Sequence, residues 1–442
     1  GNFIAGPTAT KWLMVGYYDS GAGELDITNG NLFLDNGTSL KLCRSGNTGG
    51  NVVNQAGGNV TFYSDAGATI GGGGNLDLNF AGGAASLNTY NLNGGILTVP
   101  QIVSSSSAAT RIFNFNGGTL KAAAAGTAFF ASGAASSANV RNFGAKIDTA
   151  GFNVTVGQAL QHSAISGDNA TDGGLTKNGA GTLTLANAST YTGSTTVSNG
   201  TLALSSAGSI ANSRSISVAS GAVFDVSAVA GGFMLGAPQT LSGSGAVNGA
   251  IAVNGTIVPG NAGATGTLTL SNAPALHGVT LIKINRNNGS PLNDQIILPS
   301  SGITYGGTLT VNNISAPLTA GDSFQIFSAT NYSGVFATLN LPSLGAGLAW
   351  NTNGLTNGIL SVIATVGPQF GGLNQTGDGN FHFAGSGAAG VTYELDAATN
   401  LVPPIPWMFV TNAVAGQNGL FDLWDLSASN FAQRFYRVIS TQ

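Results

Sequence analysis

The chain has 442 residues, of which 43% are hydrophobic and only 7% charged, against about a quarter charged in ordinary soluble domains. Its 17 acids and 13 bases leave a net charge of -4 with no basic stripe, which excludes a protein built to neutralise nucleic-acid phosphates. No apolar run approaches the roughly 20 residues of a membrane span, and 68 glycines against 13 prolines without a triplet period fit neither collagen nor a Pro-rich disordered chain.

Solubility must come instead from Asn, Ser, Thr and Gly, the composition of a repetitive, hydrogen-bonded β surface. The single cysteine, Cys43, permits no internal disulfide and is read as a small buried hydrophobe. The chain opens on Gly1-Asn2-Phe3-Ile4 with neither Met nor a signal-peptide pattern, as expected of a processed, exported protein. Phe3, Ile4, Trp12, Leu13, Met14, Tyr17 and Tyr18 lie within or beside a strand pattern with no polar capping helix. They are the candidate assembly interface, because an uncapped strand stack invites another chain.

From residue 30 onward the same punctuation recurs: Gly30-Asn31-Leu32, Gly58-Asn59-Val60, Gly74-Asn75-Leu76, Gly95-Ile96-Leu97 and Gly118-Thr119-Leu120 each open an alternating run. The last four follow at intervals of 16, 21 and 23 residues, the length of one solenoid coil. Alternation places Leu32, Leu34, Leu76, Leu78, Ile112 and Phe113 inside and Asp77 outside. The alanine-rich stretch 122–139 is broken by Gly126 and Gly133 and reads as small-residue strands with a loop.

Residues 173–204 show the design most clearly. Thr182-Leu183-Thr184-Leu185 has the period-2 alternation of a half-buried strand, and Thr201-Leu202-Ala203-Leu204 repeats it after the 19-residue unit from Gly181 to Gly200. A unit so short cannot bury its own apolar face, so it must stack on copies of itself. Gly174 to Lys177, Gly179 to Leu185, Tyr191-Thr192-Gly193, Thr195-Thr196-Val197 and Gly200-Thr201-Leu202 resemble the autotransporter-associated β-strand repeat, the passenger-associated transport repeat of exported bacterial surface proteins. The resemblance implies a β-solenoid and export to the extracellular space or cell surface. It implies no activity.

Residues 205–270 continue the coil; at about 20 residues per turn and about 4.8 Å per strand, residues 1–270 predict an elongated rod of roughly 65 Å. Residues 271–365 hold longer strands that are expected to close the solenoid. Their runs Gly321 to Phe324, Tyr332 to Gly334 and Gly347 to Trp350 resemble the C-terminal part of the same family. Gly367-Pro368 marks a boundary, and 366–442 reads as an immunoglobulin- or fibronectin-like module of about six short strands. The fold class is therefore all-β, an elongated right-handed parallel β-solenoid (β-helix) followed by a small antiparallel β-sandwich. Nothing after residue 365 shows the roughly ten-residue spanning strands of a membrane β-barrel.

Chemistry has few footholds. Asp19, Glu24, Asp26, Asp65 and Asp77 read as solvated turn acids, although stacking brings some of them near one another. Gly71 to Leu78 misplaces the Asp of a calcium-binding β-roll repeat, and Gly377-Asp378-Gly379-Asn380 reads as a turn. His162, His277 and His382 are too dispersed for a ligand set, and no GxSxG elbow exists. Gly385, Gly387 and Gly390 form a GxGxxG between two strands, expected to be a hairpin. Trp407, Trp424 and Tyr436 are the candidate glycan contacts, should they form an exposed coplanar platform.

The expectation is a non-enzymatic extracellular structural protein, a subunit of a self-assembling filament or stalk, without cofactor or metal. Its expected partners are copies of itself and cell-surface or matrix polysaccharide, with no nucleic acid and no membrane span. The alternatives are a monomeric adhesin or carbohydrate-binding surface protein, and a β-helix polysaccharide lyase or hydrolase, which needs paired carboxylates.

Overall fold

The computed structural model describes residues 2–5, 12–16, 21–35, 37–44, 49–65, 69–70, 74–287, 290–345, 347–365, 367–388 and 390–441. The chain divides into two compact units, Gly1–Ser315 with Gln325–Pro342 and Leu355–Ile359, and Ala316–Phe324 with Ser343–Gly354 and Leu360–Gln442.

The first unit is a parallel β-solenoid with three sides. Asn2–Ala5, Trp12–Val15 and Gly23–Ile27 lie on the first, second and third side, and Asn31–Leu34, Ser39–Leu42 and Gly50–Gln55 stack in parallel on each in turn. The first side grows into a 16-stranded sheet and the second into a 13-stranded one. The third side is a 6-stranded sheet ending at Leu160–His162. Over the next coils it shrinks to the single bridge Ala188 to Ser209 before strands return at Phe233–Leu235.

What fixes this arrangement is the pleat. Leu183 and Leu185 point inward and stack in register on Leu202 and Leu204, while Thr182 lies half-buried over Thr201. Each such leucine contributes about 2 kcal/mol by leaving water, and a one-residue slip would turn the whole row outward. The offset in this pair is the 19 residues from Thr182 to Thr201, as the repeat predicts.

Elsewhere the coils vary. Asn59 pairs with Ile96, 37 residues on, and Thr240 with Thr256, 16 on. The glycine spacing therefore mixed two sides. Gly58, Gly95 and Gly118 precede first-side strands, but Gly74 precedes Leu76–Asp77 on the second. Two further expectations are corrected. Asp77 is 2% exposed, because a second-side strand only two residues long gives way to a corner where its carboxylate accepts bonds from Ser105 N–H (3.0 Å), Ser105 Oγ (2.5 Å) and Asn79 N–H (3.2 Å). Ile112 is half-buried between inward Arg111 and Phe113, so of the adjacent pair only Phe113 lines the interior.

In the second unit Leu348–Asn351 pairs antiparallel with residues 361–364. The C-terminal part is a six-stranded sandwich. Gln369–Gln375, Phe381–Ser386 and Leu420–Asp425 form one sheet; Met408–Val414, Thr392–Ala398 and Phe435–Thr441 form the other. Phe383, Tyr393, Leu395, Ala415, Phe421 and Leu423 fill the core between them. The GxGxxG segment is not a hairpin, since the strands it joins belong to different sheets. Its glycines make room for core rings: a Cβ on Gly385 would lie 2.3 Å from the Phe421 ring and one on Gly387 2.2 Å from Tyr393 Oη.

Coil stacking brings backbone against backbone at the corners. Gly200 has φ +64°, and a Cβ there would lie 2.5 Å from the carbonyl oxygens of Gly179 and Gly181; Gly221 has φ +76° but open space around it. Gly221→Ala should cost only the left-handed backbone penalty, about 1–3 kcal/mol. Gly200→Ala should cost measurably more by urea denaturation, and equal losses would show that coils do not approach through that glycine.

Candidate functional site

Three regions concentrate the polar and exposed aromatic chemistry. The first is the interior of the 19-residue repeat. Leu175–Asn178 alternates so that Lys177 points inward, where it is fully buried. Its ammonium donates to the carbonyls of Asn178 (2.9 Å), Gly179 (2.6 Å) and Asn199 (2.9 Å) and to Thr149 Oγ1 (3.3 Å). Burial pulls its pKa down to about 8, against a smaller upward pull from the Asp148 charge, so at neutral pH it is a cation tying three successive coils at one corner. The parity that puts Leu175 inside also puts Lys177 inside; that is the signal by which it could be found.

Asp172 organises the opposite corner. Its carboxylate accepts from the backbone N–H groups of Thr192 (2.7 Å), Gly193 (2.9 Å) and Gly174 (2.9 Å) and lies 2.8 Å from His162 Nδ1. Burial acts to raise its pKa, but the Thr192 N–H, the His162 ring and the other two N–H groups outweigh it and hold the carboxyl below the ordinary range. Arg141 grips Asp168 alongside through Nε (2.8 Å) and Nη2 (2.9 Å). His162 is thus a partnered corner residue rather than an isolated one; His277 is exposed.

On the third side a column of amides runs across coils. Asn139 Nδ2 donates to Asn114 Oδ1 (2.8 Å), Asn114 to Asn91 (2.7 Å), Asn91 to Asn54 (2.8 Å), and Asn54 to Asp26 (2.9 Å) and Glu24 (3.1 Å). Two of the five sequence-picked acids therefore meet, but as acceptors of one amide. Asp77 lies on another side, Asp19 is outside the described residues, and Asp65 ends the strand Asn59–Asp65. Cys43 is fully buried, its Sγ 3.4 Å from Ser86 Oγ.

The second region is the first coil. Asn2–Ala5, Trp12–Val15 and Gly23–Ile27 each stand at the edge of their sheet, paired on one side only among the described residues. A cavity of about 290 Å³ opens there, lined by Leu13, Leu25, Ile27 and Leu32 with Asp26, Asn29 and Asn31. Of the candidate interface residues, Leu13 reaches this cavity. Trp12 and Met14 take the other parity of their strand. Trp12 is 38% exposed, 5.9 Å from the Phe80 ring, with the Lys41 ammonium 5.0 Å above it. Phe3 and Ile4 occupy first-side positions in register with Leu32 and Phe33. Tyr17 and Tyr18 lie outside the described residues.

The third region is the sandwich surface, where the three candidate glycan contacts separate. Trp424 is 43% exposed on the outer face of its sheet, stacked at 4.2 Å on His382, whose Nε2 is 2.7 Å from Asp422. Trp407 is half-buried against the other sheet, beneath the Arg437 guanidinium at 4.7 Å, which pairs with Asp396. Tyr436 turns into the core against Phe381 and Phe383 and donates to Asp425 (2.8 Å). No shared platform forms from these three, because strand alternation sends Tyr436 inward and the two tryptophans lie against different sheets.

Residues 175–204, the stretch that contains Lys177 and both stacked Thr-Leu strands, match the model of the Passenger-associated-transport-repeat. The chain carries a passenger-associated-transport-repeat. No curated protein matches it. The repeat marks an exported, passenger-type protein, and its boundaries coincide with two coils of the solenoid, Leu175–Asn178 with Thr182–Leu185 and Thr195–Val197 with Thr201–Leu204.

Lys177→Met should remove the ammonium from three corner carbonyls of the repeat, of which that of Asn178 keeps its bond from Thr149 N–H, and cost about 2–4 kcal/mol in urea denaturation. The pH profile supplies a second readout. The folded chain releases the Lys177 proton at about 8, the unfolded chain near 10.4, so between those values the unfolded state holds more protons and the Lys177 contribution to stability rises with pH. The difference in stability between wild type and Lys177→Met should therefore widen from pH 8 to pH 10; a constant difference would remove the buried-cation assignment.

Proposed function

We propose that this passenger-type solenoid is a non-catalytic structural subunit of a surface filament or stalk, whose copies join head to tail through the first coil and the C-terminal part of the next copy. What supports the reading is a cavity of about 290 Å³ in which Leu13, Leu25, Ile27 and Leu32 meet beside Asp26, Asn29 and Asn31. An apolar side chain of another copy would fill that cavity, and a heterologous contact that does not close gives a filament. A net charge of -4 over 442 residues offers little repulsion between copies.

Sedimentation velocity and negative-stain imaging test the reading. Wild type should form concentration-dependent linear oligomers, and Leu13→Lys, which places an ammonium in the cavity, should shift them at least tenfold toward monomer. Strictly monomeric wild-type protein at high concentration would overturn it.

A further inference from the structure

The sandwich contains a second concave surface that the assembly reading does not use. A cleft of about 460 Å³ lies at one end of the Gln369–Gln375 and Phe381–Ser386 strands and is closed by the segment 428–434. That volume falls within the roughly 300–1,000 Å³ of small-molecule sites.

Its lining combines two kinds of surface. Phe431, 40% exposed, and Leu373, 56% exposed, supply an apolar wall. Gln375, Ser429 and Gln433 supply hydrogen-bonding groups that stand exposed around it. The Gln433 amide donates to Thr399 O at 3.2 Å, which leaves its Oε1 as an acceptor.

The floor holds the one charged lining residue, Arg434, and its charge is already neutralised. Arg434 Nη1 pairs with Asp425, whose carboxylate is fully buried and also accepts from Tyr436 Oη (2.8 Å), Ser427 N–H (2.9 Å) and Ser427 Oγ (2.9 Å). Ser427 Oγ in turn accepts from Arg434 Nη1 at 3.0 Å, and the guanidinium carbon sits 4.1 Å from the Phe431 ring. The network fixes Arg434 and Phe431 in place and leaves the cleft electroneutral. An anionic ligand would meet no net positive charge, and a cation no net negative one.

A ligand complementary to this cleft is uncharged, with one apolar face for Phe431 and Leu373 and several hydroxyl or amide edges for Gln375, Ser429 and Gln433. We infer that the sandwich binds a neutral sugar residue in the cleft between Phe431 and Gln375, one or two rings of a polysaccharide chain. This site is separate from Trp407 and Trp424, and it operates in a monomer as well as in a filament.

Saturation-transfer NMR on the full chain tests it with cellobiose, maltose and N,N′-diacetylchitobiose as neutral probes and a glucuronic-acid disaccharide as the charged one. At least one neutral disaccharide should give saturation transfer, the acidic one at least tenfold weaker. Phe431→Ala and the exposed-residue variant Gln375→Ala should each weaken binding about tenfold, while Trp424→Ala should leave it unchanged. The melting temperature of Gln375→Ala should match wild type, so its loss of binding reports on the cleft rather than on folding. Absence of transfer from all neutral probes, preference for the acidic one, or binding lost in Trp424→Ala but kept in Gln375→Ala would each overturn the assignment. Sugar binding by strictly monomeric protein would leave this inference standing while removing the filament.

Discussion

In-register stacking of like on like is the constraint from which the rest of the solenoid follows. When each coil lies about 4.8 Å above the last, a residue's nearest neighbour is its counterpart one coil away, so every column must be compatible with itself. Leucine on leucine and threonine on threonine meet that condition, as do amide on amide and ring on ring, the last seen where Tyr90 and Phe113 stack at 5.3 Å and 6°. Like charges in one column do not, which accounts for a chain in which only 7% of residues are charged. The charges that do go inside are satisfied locally, some by an opposite charge, as Lys283 is by Asp294 at 2.6 Å and Arg141 by Asp168, others by polar groups, as Lys177 is by three carbonyls and Asp77 by Ser105 and Asn79. A buried charge without such a partner costs several kcal/mol.

The sequence announces the fold most plainly where the columns are simplest. Thr182 to Leu185 and Thr201 to Leu204 alternate strictly and lie 19 residues apart, so coil length and inward face could both be read. Upstream, corners of different length intervene and the 37-residue step from Asn59 to Ile96 carries no constant spacing. The glycines there mark corners on more than one side, so equal intervals between them did not measure one coil. The sandwich was visible as short strands with turns, yet which strands pair was not, because the pairing of Phe381–Ser386 with Leu420–Asp425 skips two strands of the other sheet, Thr392–Ala398 and Met408–Val414.

The polar interior was the least legible part. Asp77 and Lys177 are residue types that ordinarily face water, and composition gives no reason to place them inside. Lys177 sits at an inward parity and so could be found; Asp77 lies in a two-residue strand at a corner, where alternation has no length over which to operate. Aromatics misled in the other direction. Tyr436 is bulky and close to the C-terminal end of the chain, but its row belongs to the core beside Phe383 and Val438. Of the residues read as sugar contacts only Tyr436 reaches the cleft near Phe431, whose lining comes from two stretches, 373–381 and 428–436, far apart in the chain.

The asparagine column has a direction, and direction restricts which residues each rung tolerates. Every amide nitrogen in it reaches back toward the preceding coil, and the line ends on Asp26 and Glu24. A carboxylate can only receive, so it is suited to the terminus and unsuited to any middle rung, where it would face the oxygen of the rung before it. Aspartate in place of Asn91 would thus split one continuous line into two, although the same side chain at position 26 completes it. One face of the coil thereby encodes an orientation along the stack that the backbone ladders, repeating identically at each step, do not.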